Sequence, residues 1–128
     1  MFQKVKNGVY MPATGLHGPH NLTADGVAAA VKGVGPGAYV LGTLKTDGVF
    51  YVSYVGRSDS DLAARVLDHV AKPYAHFKYG FYSTAVEAFK KECQLYHDFG
   101  QLALDNECHP AKPRGTWHSC PVLNCGLG

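Results

Sequence analysis

Valine, tyrosine and phenylalanine concentrate in two short runs in the first half of the chain, at residues 38–45 and 49–56. Between the runs lies Thr46-Asp47-Gly48, and an Asp-Gly pair at such a place is typical of a β-hairpin turn. The pattern therefore predicts two antiparallel strands joined by a tight turn.

The position of the turn also predicts which residues face each other. With Asp47-Gly48 as the loop, Tyr39 lies opposite Gly56. Leu41 then lies opposite Tyr54. Because side chains alternate between the two faces of a strand, these four residues share one face, and the two tyrosines are diagonal neighbours. Gly56 has no side chain, so we expect an open space beside the phenol of Tyr39.

Further along the chain, other periodicities predict one more strand and three helices. Residues 75–82 alternate between two faces and predict a third strand beside the hairpin, whereas residues 15–20 have the composition of a loop. Apolar residues at helical spacing, each run preceded by residues that cap helices, predict the helices. They extend from Asn21 or Thr23 over 24–32, from Ser58 or Asp59 to about Val70, and from Ser83 or Thr84 towards Gly100.

These elements predict one α/β protein of the α+β type. We expect a central three-stranded antiparallel sheet flanked by helices over residues 37–128. An N-terminal extension with the short first helix, residues 1–36, precedes it. A chain of 128 residues is long enough to bury a core without disulfides or metal ions.

Three polar side chains have notable positions in the predicted helices. Arg65 and His69 are four residues apart, so they project together from one flank of the second helix. Glu92 falls on the apolar stripe of the third helix. A carboxylate that faces a core is costly unless it is paired or bound to a metal ion.

In this order, Gly37-Ala38-Tyr39, Tyr54-Val55-Gly56, Arg65, Glu92 and Asn106 resemble the signature of the GIY-YIG nuclease family. The resemblance covers residues 37 to about 110, roughly the length of that small domain. Alanine and valine stand where the family name has isoleucine, a conservative change at a buried strand position. The extension at residues 1–36 has no counterpart in the resemblance, and we expect no separate DNA-binding domain.

The resemblance implies a metal-dependent DNA endonuclease that hydrolyses phosphodiester bonds with one Mg²⁺ or Mn²⁺ ion. Glu92 would hold the metal ion, since Mg²⁺ accepts a single carboxylate together with several waters. Arg65 would clamp the scissile phosphate, although a salt bridge to Asp61 or Asp68 is the ordinary alternative. Arg57 matches a position where the excision-repair members carry a basic residue, and it is also an ordinary turn residue.

The other implied roles leave alternatives open. Tyr54 or Tyr39 would be the general base or would orient the attacking water; the family favours Tyr54, while each tyrosine also suits simple packing. His69 matches a second phosphate-binding or acid–base position, and His76 competes for it from the third strand. Asn106 would hydrogen-bond the tyrosine or the DNA backbone, unless it is a turn residue.

The charge of the chain limits how it can hold DNA. With 12 Lys and Arg against 10 Asp and Glu, the net charge is only +2, and there is no polybasic arm. Such a nuclease would bind DNA weakly, so we expect a protein partner, a homo-oligomer or a special DNA structure to supply targeting. The alternative function is a catalytically inactive module of the same fold that binds DNA or protein.

Two further features concern location and metal content. The sequence begins without a signal-peptide pattern and has no apolar run of about 18 residues, so we expect a cytoplasmic protein that does not enter membranes. Ordinary thiols are the favoured interpretation of the C-terminal cysteines, because there is no CxxC pair, and a structural zinc site is the alternative. The residues that could form it are Cys93, His97, Cys108, His109, His118, Cys120 and Cys125.

Overall fold

A computed structural model describes the parts of the chain that build the sheet and most of what surrounds it. The described residues are 2–6, 9–100, 104–106, 109–115 and 119–121. Among them, the regular elements are six strands and three helices. In chain order these are β1 (Phe2–Lys6), β2 (Val9–Pro12), β3 (His17–Asn21), α1 (Ala24–Ala30), β4 (Gly37–Leu44), β5 (Phe50–Ser58), α2 (Leu62–Leu67), β6 (His76–Phe81) and α3 (Ala85–Asp98).

Within the described residues, the central sheet has four antiparallel strands in the order β3-β6-β4-β5, and β1 and β2 form a separate hairpin. β6 lies beside β4 as predicted. The expectation of three strands is wrong, because His17–Asn21 pairs with β6 at the sheet edge instead of forming a loop. An edge strand tolerates Pro19, which has no N–H to donate, and long-range pairing here overrides the local Gly-Pro composition.

The first and third helices begin where the sequence predicts. The hydroxyl of Thr23 accepts a hydrogen bond from the backbone N–H of Gly26 at the start of α1. Thr84 likewise accepts from the N–H of Glu87 at the start of α3. Among the described residues, no helix combines the length and the apolar content that crossing a membrane requires.

α2 is shorter than predicted at both ends. It starts at Leu62, and its cap is Asp61, whose carboxylate accepts from the N–H of Ala64. Ser58 still belongs to β5, and its hydroxyl accepts the N–H of Asp61 at 2.8 Å, which closes a turn before the helix. The helix ends at Leu67, so the expected extension to Val70 is a turn.

The register of the hairpin agrees with the prediction in the region that matters for the site. Tyr39 pairs with Gly56, and Leu41 pairs with Tyr54. The prediction of an open space beside the phenol of Tyr39 is wrong. The Tyr39 ring lies directly against Gly56, where a Cβ atom would overlap it. Tyr39 is only 2% exposed.

The loop of the hairpin has one residue more than predicted. Lys45 bonds Val49 across it, so the loop is Thr46-Asp47-Gly48, with Gly48 in the left-handed region at φ 82°. A bulge in β5 at Ser53, beside the step from Leu41 to Gly42, offsets the extra residue. The two changes cancel, and this restores the predicted pairs farther from the turn.

The sheet separates two apolar clusters. One contains Tyr39, Leu41 and Phe77 together with residues of α1 and α2, and Leu22, Val27 and Val31 of the N-terminal region belong to it. The other contains Val40 and Val55 packed against Leu95 and Tyr96 of α3. Residues 22–31 therefore share a core with the hairpin.

Replacing Gly56 with alanine should lower the free energy of unfolding by about 1–3 kcal/mol, because the buried Tyr39 ring leaves no room for a methyl group. Urea denaturation followed by circular dichroism measures the change. Gly35→Ala is the matched control, since a Cβ there meets only a Phe81 ring atom at 3.8 Å. Equal stability of the two variants would contradict the packing of Tyr39 on Gly56.

Candidate active site

A cavity of about 630 Å³ opens at the β5 edge of the sheet, between the turn after α2 and the middle of α3. A second cavity, of about 470 Å³, shares Tyr54 and Glu92 with it. All seven site residues predicted from the sequence line one or both of these cavities. Tyr39, Tyr54, Arg57, Arg65, His69 and Glu92 line the first, and Asn106 lines the second.

Tyr39 and His69 form a buried hydrogen-bonded pair, with 2.7 Å between the phenol oxygen and Nε2. Burial raises the pKa of Tyr39, and the neighbouring Tyr54 raises it further. Burial lowers the pKa of His69, as does the nearby charge of Lys72. Both groups are therefore neutral at pH 7, and the Tyr39 phenol is held in its protonated form.

Tyr54 occupies a different environment from Tyr39, although both lie on the same face of the hairpin. It is half-buried and lines both cavities. Its ring lies 5.2 Å from that of His69 and 6.4 Å from that of Tyr74, measured between centroids. Of the two tyrosines that the sequence could not rank, Tyr54 is the more accessible to a substrate.

Arg57 and Glu92 form an ion pair that joins β5 to α3 across the cavity wall. Nη1 of Arg57 donates to Oε1 of Glu92 at 2.7 Å, and its Nε donates to Asp59 at 2.6 Å. The guanidinium also lies 5.2 Å from the ring centre of Phe89. Sequence reasoning placed Glu92 on the buried face of α3 correctly but did not pair it with Arg57.

The carboxyl group of Glu92 gains and loses its proton near pH 7. It is 8% exposed, and burial raises its pKa to about 7, while the hydrogen bond from Arg57 limits the rise. The cavity wall also holds carboxylates of Asp59, Asp61 and Asp68, which sequence reasoning did not assign to the site. These residues share a position in the sequence that could have indicated the site. Asp59 and Asp61 lie between β5 and α2, and Asp68 directly follows α2.

Arg65 is the more accessible of the two arginines in the wall. Its side chain is 56% exposed, and Nη1 lies 3.8 Å from Asp68, a long ion pair between two exposed groups. The salt bridge considered from the sequence therefore exists in a weak form. The guanidinium is therefore exposed at the cavity wall and only weakly paired.

The two candidate histidines occupy different places. His69 lines the cavity, whereas Nδ1 of His76 accepts the backbone N–H of Leu44 at 3.1 Å. His76 is not among the described residues that line either cavity. Of the two, only His69 is therefore placed to act in the site.

Asn106 hydrogen-bonds the open edge of β5. Its Oδ1 accepts the N–H of Val55 at 3.0 Å, and its Nδ2 donates to the Val55 carbonyl at 2.7 Å. The N–H of Asp105 also donates to the carbonyl of Ser53, the bulge residue, at 2.7 Å. Asn106 thus fixes the backbone between Tyr54 and Gly56, whereas its predicted bond to a tyrosine or to DNA stays a prediction.

A hard divalent cation fits this donor set. Glu92 presents one carboxylate to a cavity large enough for several waters, which is how Mg²⁺ is usually held. Three further carboxylates in the wall add negative potential. Oε1 of Glu92 already accepts from Arg57, so a cation would share this carboxylate with the guanidinium.

No protein-family model, curated protein or solved structure matches the chain. What the cavity can do chemically is therefore inferred from its own residues.

In metal-free buffer, wild-type protein should lose stability relative to Glu92→Gln as the pH rises from 4.5 to about 7. The pKa of Glu92 is higher in the folded state than its ordinary value, so the folded protein retains a proton that the unfolded chain releases. The difference in unfolding free energy should reach at most about 3 kcal/mol above pH 7. Chemical denaturation across this pH range measures it, and Glu87→Gln, on the exposed first turn of α3, should follow wild type.

Replacing Asn106 with alanine should lower the free energy of unfolding by about 1–3 kcal/mol, because it removes both hydrogen bonds to Val55. Urea denaturation measures the loss. Asn21→Ala, the same substitution at the exposed end of β3, should change the stability little. A stability loss as large in the Asn21 variant would argue against a specific role for Asn106.

Proposed function

We propose that the protein is a metal-dependent DNA endonuclease of the GIY-YIG type. The observation that carries the proposal is the convergence of Tyr39, Tyr54, Arg57, Arg65, His69 and Glu92 on one cavity. They come from β4, β5, the α2 region and α3, so their meeting is a property of the fold and not of local sequence. Hydrolysis of a phosphodiester needs an activated water and charge neutralisation at the phosphoryl group, and this set includes groups suited to both.

Arg65 is the residue that we assign to the scissile phosphate. Its guanidinium is largely exposed, and it is less tightly paired than Arg57, which is bonded to two carboxylates. A planar guanidinium can bind two phosphate oxygens at once, which fixes the phosphate as well as neutralising it.

Tyr54 is the residue that we assign to the attacking water. Burial and the raised pKa keep the Tyr39 phenol protonated, so it is not available to accept a proton, whereas Tyr54 lines both cavities. Its hydroxyl would orient the water, and its ionised form would accept the proton as the water oxygen bonds to phosphorus. The bond from phosphorus to the leaving sugar oxygen breaks, and that oxygen takes a proton from solvent.

Glu92 would hold a Mg²⁺ or Mn²⁺ ion, which would supply Lewis-acid stabilisation of the phosphoryl oxygens. The charge of the wall supports a requirement for such an ion. Even without a charge on Glu92, the three aspartates Asp59, Asp61 and Asp68 outnumber the two arginines, so the metal-free cavity carries no net positive charge to attract a phosphate. A bound cation would offset this negative charge and favour entry of the DNA backbone.

Cleavage of supercoiled plasmid in Mg²⁺ or Mn²⁺ tests the proposal. Glu92→Gln and Arg65→Ala should each lose at least about 100-fold in rate, since each removes charge that stabilises the transition state. The matched controls are Glu87→Gln, on the same helix, and Arg114→Ala, an exposed arginine outside both cavities; each should cleave like wild type.

The outcomes separate the two functions considered for this chain. Cleavage that needs the metal ion and fails only in the two site variants supports the nuclease. Folded protein that binds plasmid, branched or nicked DNA but cuts none of them would establish the inactive binding module instead. Activity that persists in both site variants would place the chemistry elsewhere.

A further inference from the structure

A second group of metal-binding side chains lies where the C-terminal tail meets α3. The Sγ atoms of Cys93 and Cys120 and one ring nitrogen of His109 all lie within 4.8 Å of one another. His97 follows Cys93 by one helical turn, and its Nε2 lies 3.4 Å from Nε2 of His109. Three residues therefore form a compact group, and His97 is next to it through its contact with His109.

The sequence suggested these residues without choosing among them. Of the seven candidates, Cys108, His118 and Cys125 lie outside the described residues. The lack of a CxxC pair favoured ordinary thiols, because short spacing is the usual sign of a zinc site. Here the ligands are instead brought together by the spacing of two residues on one helix and by the path of the tail.

We propose that Cys93, His97, His109 and Cys120 form a structural zinc site. Zinc in such sites is tetrahedral with bonds to nitrogen of about 2.0–2.1 Å, which separates two nitrogen ligands by about 3.3 Å. The observed 3.4 Å between the two Nε2 atoms agrees with this distance. Cys93, His109 and Cys120 already lie within 4.8 Å of one another, and His97, next to His109, would supply the fourth ligand.

The orientation of His109 supports the assignment. Its Nδ1 lies 2.8 Å from the carbonyl oxygen of Pro110, so Nδ1–H donates and Nε2 carries the lone pair. That lone pair is on the nitrogen that approaches His97. A histidine that binds zinc commonly donates its other N–H to a backbone carbonyl in this way.

The charge and softness of the cluster distinguish it from the cavity at Glu92. Two thiolates neutralise the charge of a divalent ion. The site would then carry little net charge, which suits its buried position beside Cys93, a residue that is 0% exposed. Thiolate and imidazole ligands select zinc, whereas carboxylate and water suit magnesium. The two sites therefore differ in the ion they take, although Glu92 and Cys93 are adjacent in sequence.

A zinc ion here would fasten the tail to the fold. None of the described residues from 104 onwards belongs to a helix or strand, so backbone pairing within a regular element does not hold this segment. His109 and Asn106 line the same cavity, which also includes Glu92. By anchoring His109 and Cys120 to α3, the ion would hold the segment that presents Asn106 to β5.

Elemental analysis of untagged wild-type protein, purified under reducing conditions without chelator, tests the site. We expect one zinc ion per chain. Cys93→Ser, Cys120→Ser, His97→Ala and His109→Ala should each lose most of the metal, whereas Cys125→Ser, a thiol of the same tail outside the proposed set, should keep it. Glu92→Gln should also keep zinc, so a failure of the nuclease proposal would leave this result unaffected.

A second measurement does not depend on the folding of any variant. Co²⁺ added to metal-free wild-type protein should give the visible bands of a tetrahedral site with thiolate ligands, and Zn²⁺ should displace it. Wild-type protein that contains no zinc and takes up neither ion would overturn the proposal. Loss of zinc from Cys125→Ser but not from His97→Ala would overturn the ligand set.

Discussion

The geometry of the cavity depends on the close packing of Tyr39 on Gly56. Because Gly56 has no Cβ atom, the ring of Tyr39 lies against the neighbouring strand, and its hydroxyl reaches His69 in the turn after α2. The next residue of β5, Arg57, faces the other side of the sheet and reaches Glu92 on α3. Two consecutive residues of one strand thus connect the layers on both faces of the sheet, and the cavity opens at the edge where these connections meet.

The two connections differ in their electrostatics. Tyr39 and His69 are both neutral at pH 7, so this pair brings no net charge to the cavity. Arg57 is bonded to two carboxylates on the opposite wall, and this wall becomes more negative as Glu92, whose pKa is about 7, loses its proton. The exposed guanidinium of Arg65 faces this acidic wall from the other flank. In the proposed nuclease, a cation between them would offset the negative charge of the wall and so favour binding of a phosphate.

The parts of the site that could be predicted are those set by local geometry. The period of the strands and the Asp-Gly turn placed Tyr39 opposite Gly56, although only because the bulge at Ser53 compensates for a longer loop. Helical spacing placed Glu92 on a buried face, but its partner Arg57 lies 35 residues away, and no local pattern encodes that contact. The fourth strand was missed for the same reason, since only pairing with β6 makes a strand of a Gly-Pro segment.

The tail shows how far long-range contacts determine this site. At the open edge of β5, the side chain of Asn106 makes the two hydrogen bonds to Val55 that a neighbouring strand would make. The backbone N–H of Asp105 donates to the carbonyl of Ser53 in the bulge. A single amide is a weak substitute for a strand, because no further ladder holds it in place. Leu104 packs with Leu95 and Tyr96, and the Tyr74 hydroxyl donates to Asp105, so side chains also attach this segment to the fold. The proposed zinc site would add an attachment farther along the tail, at His109 and Cys120. A zinc ion at α3 would thus extend, beyond residues 104–106, the contacts that hold the tail against the β5 edge.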